Sequence, residues 1–384
     1  MMIAFSEEHE MVRKMVRDFA RNEVAPKAIE IDETETFPHD TFKKMAELNL
    51  LGLPFDEKYG GAGMDYISYT ITLEELARAC ASTALSYSAH VSLAATPIDH
   101  YGTEEQKEKY LKPLATGEKL GSFCLTEPNA GSDAGHIQTR AVKKGNGWVL
   151  NGSKMWITNA AVADIFVVAA VTEPEKGTHG ISNFIIERGM PGFEIGKKEK
   201  KCGMRGSPTS MLHFTDCFVP EENLLGEYNL GYAQFLETLD GGRVGIAAQA
   251  LGIAKEAFKR AMLYAQERKQ FGRKIGDFQA IQFKLADMAT KIYASEEMIY
   301  NAAWLKQNGK PYKKEAGMAK LFATEAATQI ANQAIQIHGG MGYVKETEVE
   351  RMWRDAKLLE IGEGTSEVQR LVIYRQVREA LEDL

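Results

Sequence analysis

The sequence predicts a multidomain α and β protein. It divides into an N-terminal α-helical domain (residues 1–119), a central antiparallel β-barrel or sandwich (120–230) and a C-terminal four-helix bundle (231–384). Two textures carry that expectation. Apolar residues recur at helical spacing at both ends of the chain, whereas the middle holds short β-branched and aromatic runs separated by turn signals. No helical pattern falls between those runs, so a βαβ sheet is not expected. A length of 384 residues suits two or three domains at ~150 residues each, enough to bury a core without staples.

In order along the chain, Val12, Met15, Val16 and Phe19 fall at i, i+3, i+4 and i+7, one face of a helix. Ser6 is its natural N-cap, Glu7 and Glu8 suit the positive end of its dipole, and Pro26 is expected to stop it. Tyr59-Gly60-Gly61-Ala62-Gly63 reads as a loop. A helix is expected from about Ser68 to near Ala94, ending before Pro97, and Thr103 to Gln106 forms a capping box.

Near Gly121 the texture changes. Trp148-Val149-Leu150, Ile165 to Val168, Phe184-Ile185-Ile186 and Met211 to Phe214 read as strands, the last closed by Pro220. Gly145-Asn146-Gly147, Asn151-Gly152 and Pro191-Gly192 are the turn signals between them. From Gly231 four long helices are expected at about 235–268, 278–308, 313–338 and 365–382. Their breaks fall at Asn308 to Pro311 and Gly339 to Gly342.

Composition narrows the function. A net charge of −7, from 53 acidic and 46 basic residues, argues against a nucleic-acid partner but leaves room for a local basic groove. Cys80, Cys124, Cys202 and Cys217 form neither a metal pattern nor a disulfide framework, which suits a reducing compartment. The N-terminus turns acidic at once, unlike a signal peptide, and the longest apolar run, Ile165 to Val171, is far short of the ~20 residues of a membrane helix. The expectation is a soluble, cytoplasmic protein without membrane insertion. GxGxxG after a strand, HExxH and GxSxG are all absent, and Ser153-Lys154 stand in the wrong order for a P-loop.

Three segments stand out. Leu125-Thr126-Glu127-Pro128-Asn129-Ala130-Gly131-Ser132-Asp133-Ala134-Gly135 crowds small residues and backbone donors after a strand, suiting an anion or the edge of a flat ring, or an ordinary turn. In Lys154 to Ala160, Trp156 is placed either to cover an aromatic ring or to fill a barrel core. In Ile361 to Arg370, glycines flank Glu363, and Thr365 or Ser366 is positioned to cap the last helix.

Together these segments resemble the acyl-CoA dehydrogenase family, over nearly the whole chain. Leu239-Asp240-Gly241-Gly242-Arg243, Glu267 to Gly272 and Gln336-Ile337-His338-Gly339-Gly340 extend the resemblance. It implies FAD-dependent oxidation of an acyl-CoA thioester to the trans-2-enoyl-CoA, as in fatty acid β-oxidation, with electrons passed to an electron-transfer flavoprotein. Glu363 would be the catalytic base, its own N–H polarising the thioester carbonyl. Some members carry the base at the position of Gly242, which here has no side chain. The resemblance implies FAD contacts at Phe123, Leu125, Thr126, Ser132, Trp156, Ile157 and Thr158, and at Thr365 and Glu367. It adds Arg268, Gln270, Phe278, Gln279, Gln336, Gly339 and Gly340. Arg268 matches an arginine that reaches the FAD of a neighbouring subunit, implying a homo-oligomer, usually a tetramer. Ser132, Asp240, Arg243 and Gly364 would contact substrate, although Asp240 and Arg243 also read as a helix-surface ion pair. His338 departs from the apolar residue expected there and reads as structural; Lys197 to Lys201 reads as a solvated loop. Gly241-Gly242-Arg243, Ile246 to Ala250 and His338 to Tyr343 resemble the short-chain, butyryl-type members most. A branched-chain substrate and a flavin oxidase on the same scaffold are the alternatives.

Overall fold

The computed structural model describes residues 5–383. Helix α1 (Glu7–Phe19) opens on Ser6 in a capping box whose reciprocal partner is His9 rather than Glu or Gln. Pro26 does not stop the helical path. A π turn (Ala20–Val24) and a 3-10 turn (Ala25–Lys27) absorb it near the start of a new turn, where its missing N–H costs nothing, and α2 (Ala28–Thr34) follows. α3 (His39–Glu47) then leads to the loop at Gly60 to Gly63.

The single helix expected over Ser68 to Ala94 is two. It breaks at Cys80, whose backbone is extended (φ −154°, ψ 108°), into α4 (Tyr66–Ala79) and α5 (Ala81–Ser88). A second π turn (Ala89–Ala95) runs into α6 (Thr96–Tyr101), where Pro97 sits in the first turn instead of ending the path. The short helices α7 (Glu104–Gln106), which carries the expected capping box at Thr103, and α8 (Lys112–Ala115) complete the domain.

The central sheet has eight strands. They are β1 (Gly121–Cys124), β2 (Arg140–Lys144), β3 (Gly147–Thr158), β4 (Ile165–Val171), β5 (Ile181–Glu187), β6 (Phe193–Lys198), β7 (Thr209–Pro220) and β8 (Leu224–Leu225). Their order is β6-β7-β3-β2-β4-β5-β8, with β1 also paired to β4. Most pairs are antiparallel, as expected, but β1 and β2 lie parallel to β4 and the path does not close into a barrel. β2 meets β4 at the single pair Arg140–Val171. Asn151-Gly152 is not a turn but a bulge inside β3. β4 reads as one apolar run because both its faces are covered. Phe166, Val168 and Ala170 pack into the sheet's own core, whereas Ile165, Val167 and Ala169 pack with the helices.

The C-terminal part is built on α9 (Gly231–Glu267), α10 (Gln279–Gln307), α11 (Lys313–His338) and α13 (Ser366–Glu379). A fifth helix, α12 (Val349–Leu359), adds to the expected four. A small hairpin, β9 (Lys269–Gln270) and β10 (Arg273–Lys274), joins α9 to α10. α9 is the axis of the molecule, packing against α4, α10 and α11. The run Lys197 to Lys201 is not wholly solvated: Lys198 tethers the Glu35 carbonyl, and half-buried Lys201 donates to Ser207 O at 2.8 Å. All four cysteines are free, and Cys80, Cys124 and Cys217 are buried. Among the described residues no cluster of His, Cys, Asp and Glu could hold a metal ion, and no helix is long and apolar enough to cross a membrane.

Candidate active site

Glu363 lies in the turn between α12 and α13. Both Glu363 (φ 55°) and Gly364 (φ 97°) are left-handed, a conformation natural to glycine and costly for glutamate. The surroundings fix it. Thr365 caps α13 by accepting from Val368 N, settling which of the two hydroxyls does so. The Gly364 carbonyl accepts from Lys320 Nζ at 2.6 Å and from Gln369 Nε2 at 3.1 Å; Gln369 also reaches Glu363 O at 3.3 Å. The Glu363 N–H makes no intramolecular backbone bond among the described residues.

The Glu363 side chain points at α9. Its Oε2 is buried with no hydrogen-bond partner among the described residues. A Cβ on Gly242 would overlap that oxygen and stand only 3.1 Å from Glu363 Cδ. The missing side chain at 242 is therefore what gives the carboxylate its place. Burial pushes the Glu363 pKa up to about 7, against the opposing pull of Lys320 and Arg243. A carboxyl poised there is a base of useful strength at neutral pH.

Flanking Gly241 and Gly242 on α9, Asp240 and Arg243 form an ion pair, but a buried one, not the helix-surface pair of the alternative reading. Burial raises the Asp240 pKa despite Arg243 and Lys313 nearby. Beside Gly241 and Gly242 opens a cavity of about 190 Å³, walled by Phe55, Met64, Tyr66, Tyr69 and Val91. Its polar side carries Lys306, whose Nζ lies 4.7 Å over the Tyr66 ring.

The segment after β1 faces the same helix. Phe123 stacks on Phe235 of α9 with ring centroids 4.2 Å apart, two turns before Gly242. The side chains of Leu125 and Ile157 are buried in the core, so they offer a ligand only their backbone. The loop is clamped from below. Fully buried Lys154 donates to Leu125 O at 3.1 Å and to Glu127 at 2.7 Å, and Glu127 also accepts from the Gln138 and Thr139 amides. Burial alone would raise the Glu127 pKa, but Lys154 and these donors hold it below the ordinary range. Above the clamp, Ser132 is exposed and the Gly131, Ser132 and Asp133 amides have no backbone partner among the described residues.

Trp156 sits at the second bulge of β3, between Lys154 and Ile157, where the Met155 amide leaves the ladder to bond Thr126 O at 2.8 Å. The bulge turns Trp156 (φ 61°) outward and leaves it 54% exposed, which overturns the barrel-core alternative. An exposed indole, free amides and half-buried Thr126 and Thr158 suit a flat ring carrying phosphates.

The remaining candidates lie elsewhere. Arg268 follows α9, 26 residues past Gly242, or about 39 Å along the helix at ~1.5 Å per residue. Gln270, Phe278 and Gln279 accompany it on and after the β9–β10 hairpin, where Phe271 is 93% exposed and Arg273 covers the Phe278 ring at 4.1 Å. Gln336, Gly339 and Gly340 join this end, because buried His338 stacks on Tyr264 at 4.4 Å and bonds Ala334 O, the contacts of a structural residue. Thr365 and Glu367 stay beside Glu363. One chain thus holds two separate sets of candidate cofactor residues. Sequence reasoning missed Lys320 and the Lys154–Glu127 clamp. Lys320 shares a helical face with Ala316, Ala323 and Ala327, and a charge on so apolar a stripe was the available signal.

Comparison with known proteins agrees along the chain. Residues 6–118, 122–217 and 229–378 match the family models for the acyl-CoA dehydrogenase N-terminal, middle and C-terminal domains. The chain is 54% identical to the short-chain specific acyl-CoA dehydrogenase of Clostridium acetobutylicum, covering 96% of this chain and 98% of that protein. Butyryl-CoA dehydrogenase from Megasphaera elsdenii superposes with a TM-score of 0.96 at 46% identity, over 98% of this chain and 100% of the other. A chain from work on the electron transferring flavoprotein of Acidaminococcus fermentans superposes at 0.97 and 49% identity, over 98% and 99%.

Proposed function

The chain belongs to the acyl-CoA dehydrogenase family, and from that premise we propose that it oxidises short-chain acyl-CoA thioesters to trans-2-enoyl-CoA and passes the electrons to an electron-transfer flavoprotein. One observation carries the reading: the buried Glu363 Oε2, without a partner among the described residues, in the space that Gly242 leaves open, beside a small cavity. At about 190 Å³ the cavity is below the ~300–1,000 Å³ of common ligand pockets, which favours a short acyl chain.

In this reading the acyl chain enters between α4 and α9. The Glu363 carboxylate takes the α proton. The free Glu363 N–H faces the thioester oxygen and stabilises the charge that develops there, so base and electrophile come from one residue. Asp240 and Arg243 hold the pantetheine side, and Gly364 lets the thioester approach the backbone closely. FAD, when bound, supplies the acceptor for the β-carbon hydride. The residues that would hold it are the backbone of 123–132 with Trp156 and Thr158, joined by Thr365 and Glu367. Arg268, Gln270, Phe278, Gln279, Gln336, Gly339 and Gly340 would serve the FAD of a neighbouring chain. The ~39 Å between the two sets supports a homo-oligomer, in keeping with the exposed Phe271 at the far end.

The test is anaerobic titration of the purified protein with butyryl-CoA, following the flavin band near ~450 nm. Prompt bleaching is expected. Yellow protein that bleaches only with longer or branched thioesters overturns the short-chain assignment, and protein unable to take up FAD overturns the whole reading.

A further inference from the structure

Resting on Glu363 as the base, we infer that Lys320 is its positioning residue: it fixes the left-handed Glu363–Gly364 turn through the Gly364 carbonyl and supplies the positive charge that favours the ionised carboxylate. Lys320 has no exposure to solvent, on a face of α11 otherwise made of Ala316, Ala323 and Ala327. Its Nζ donates to Gly364 O at 2.6 Å, and no carboxylate lies within ion-pairing distance among the described residues. A buried ammonium without a counter-ion is costly, and so is a buried carboxylate without a donor. The Glu363 oxygen is such a group, on the residue before the carbonyl that Lys320 holds. The two orphan charges compensate each other across one peptide unit.

The other charges nearby do not replace this pairing. Glu363 is faced by Lys320 from α11, by Arg243 from α9 and by the Tyr66 and Tyr69 phenols from α4. Arg243 is already held by Asp240. Lys320 is faced by Glu363, by Arg243, by Glu360 at the end of α12 and by Glu367 of α13. Burial pulls the Lys320 pKa down to about 8 and pushes that of Glu363 up to about 7. Both groups are therefore charged together in the window between, where the base works. The Gly364 bond has a second consequence. It fixes the Gly364–Thr365 peptide, and Gln369, which reaches both Gly364 O and Glu363 O, ties that peptide to the one after Glu363, so the turn that carries the carboxylate and the Glu363 N–H is held through both.

The test separates proton removal from oxidation by following deuterium wash-in from D2O into acetyl-CoA, which has an α carbon but no β hydrogen. Lys320→Gln keeps a donor for Gly364 O and loses the charge; Lys320→Met loses both. For Lys320→Gln the rising limb of the exchange–pH profile should move up by about one unit, the lower end of the ~1–3 units an adjacent opposite charge exerts. Its plateau above pH 9 should match wild type. Lys320→Met should show the same shift and a plateau lowered by roughly tenfold or more, since the turn is then free to move. Unmoved limbs in folded, flavin-replete variants would refute the inference while leaving Glu363 as the base. Should Lys320→Met fail to fold, the limb of Lys320→Gln decides alone. A wild-type protein that exchanges no deuterium sinks the assignment of Glu363 and this inference with it.

Discussion

Gly242→Ala separates the catalytic role of this glycine from its structural cost. Gly242 lies in mid-helix within α9, where glycine is worth about 1 kcal/mol less than alanine. By propensity alone the substitution should stabilise the protein. The added methyl, however, overlaps Glu363 Oε2 and stands 3.1 Å from Glu363 Cδ and 3.0 Å from Leu93 Cδ2, against an optimal carbon–carbon separation of ~3.5–4.0 Å. The Glu363 carboxyl is the end of a flexible side chain, so it yields, retreating by about 1 Å to clear the overlap with Oε2. A displacement of that size at a reacting group costs on the order of 10²-fold, or about 2.7 kcal/mol of barrier. The expected outcome is a urea midpoint equal to or above wild type, unchanged flavin content, and kcat with butyryl-CoA lowered about 100-fold in an artificial-acceptor assay. Wild-type kcat in a folded Gly242→Ala protein would refute the placement of the base against α9.

Glu363→Gln should retain flavin and thioester binding in a spectral titration yet lose ~10²–10⁴-fold in turnover, the usual worth of a general base. Wild-type kcat should rise with pH through about 7 as Glu363 ionises, and a profile flat from pH 6 to 8 would contradict that. Because the folded pKa of Glu363 is raised, its ionisation opposes folding increasingly as pH climbs from the unfolded value toward 7, and the penalty levels off above that. Glu363→Gln should therefore raise the thermal midpoint more at pH 8 than at pH 5. Lys154→Met leaves Glu127 buried without its cation and should cost ~3–5 kcal/mol in urea unfolding, with weaker flavin retention. A loss under ~1 kcal/mol would show that the clamp is not structural. Arg268→Ala should lower flavin per chain after gel filtration while leaving the apo-protein melt unchanged, since Arg268 is exposed. Unaltered flavin content would remove Arg268 from the cofactor site.

The three textures of the chain were legible because periodicity reports which face is buried, and that signal survives without coordinates. Boundaries failed where a local rule met a longer-range constraint. Pro26 and Pro97 look like stops, yet each falls where a π turn resets the helical register and proline costs nothing. Cys80 carries no breaker signal at all; its extended backbone separates α4 from α5, and both helices pack against α9. The strands β2 and β6 were invisible because only one residue of each is buried. At the site, Glu363 stood out by its flanking glycines. Its partner Lys320, 43 residues earlier, did not, because sequence spacing says nothing about which buried lysine meets which turn.

The proposed base, Glu363, sits on a turn rather than on α9, and there is a physical reason for that placement. Along α9 the face toward the cavity is used to let other groups approach: Lys306 packs against Gly241, Glu363 against Gly242 and Leu73 against Gly245. A carboxylate borne by α9 at 242 would need the volume that Glu363 fills, so the two positions exclude each other sterically. A helix residue, moreover, already spends its N–H on the residue four before it. Glu363, in a left-handed turn, keeps its N–H unspent. Only the turn position offers a carboxylate and a free amide donor from one residue. Removing the α proton from a thioester needs the base and the stabiliser of the developing oxyanion at once. The strain at φ 55° is accordingly part of the site's chemistry, and Lys320, Gln369 and the Thr365 cap are the contacts that sustain it.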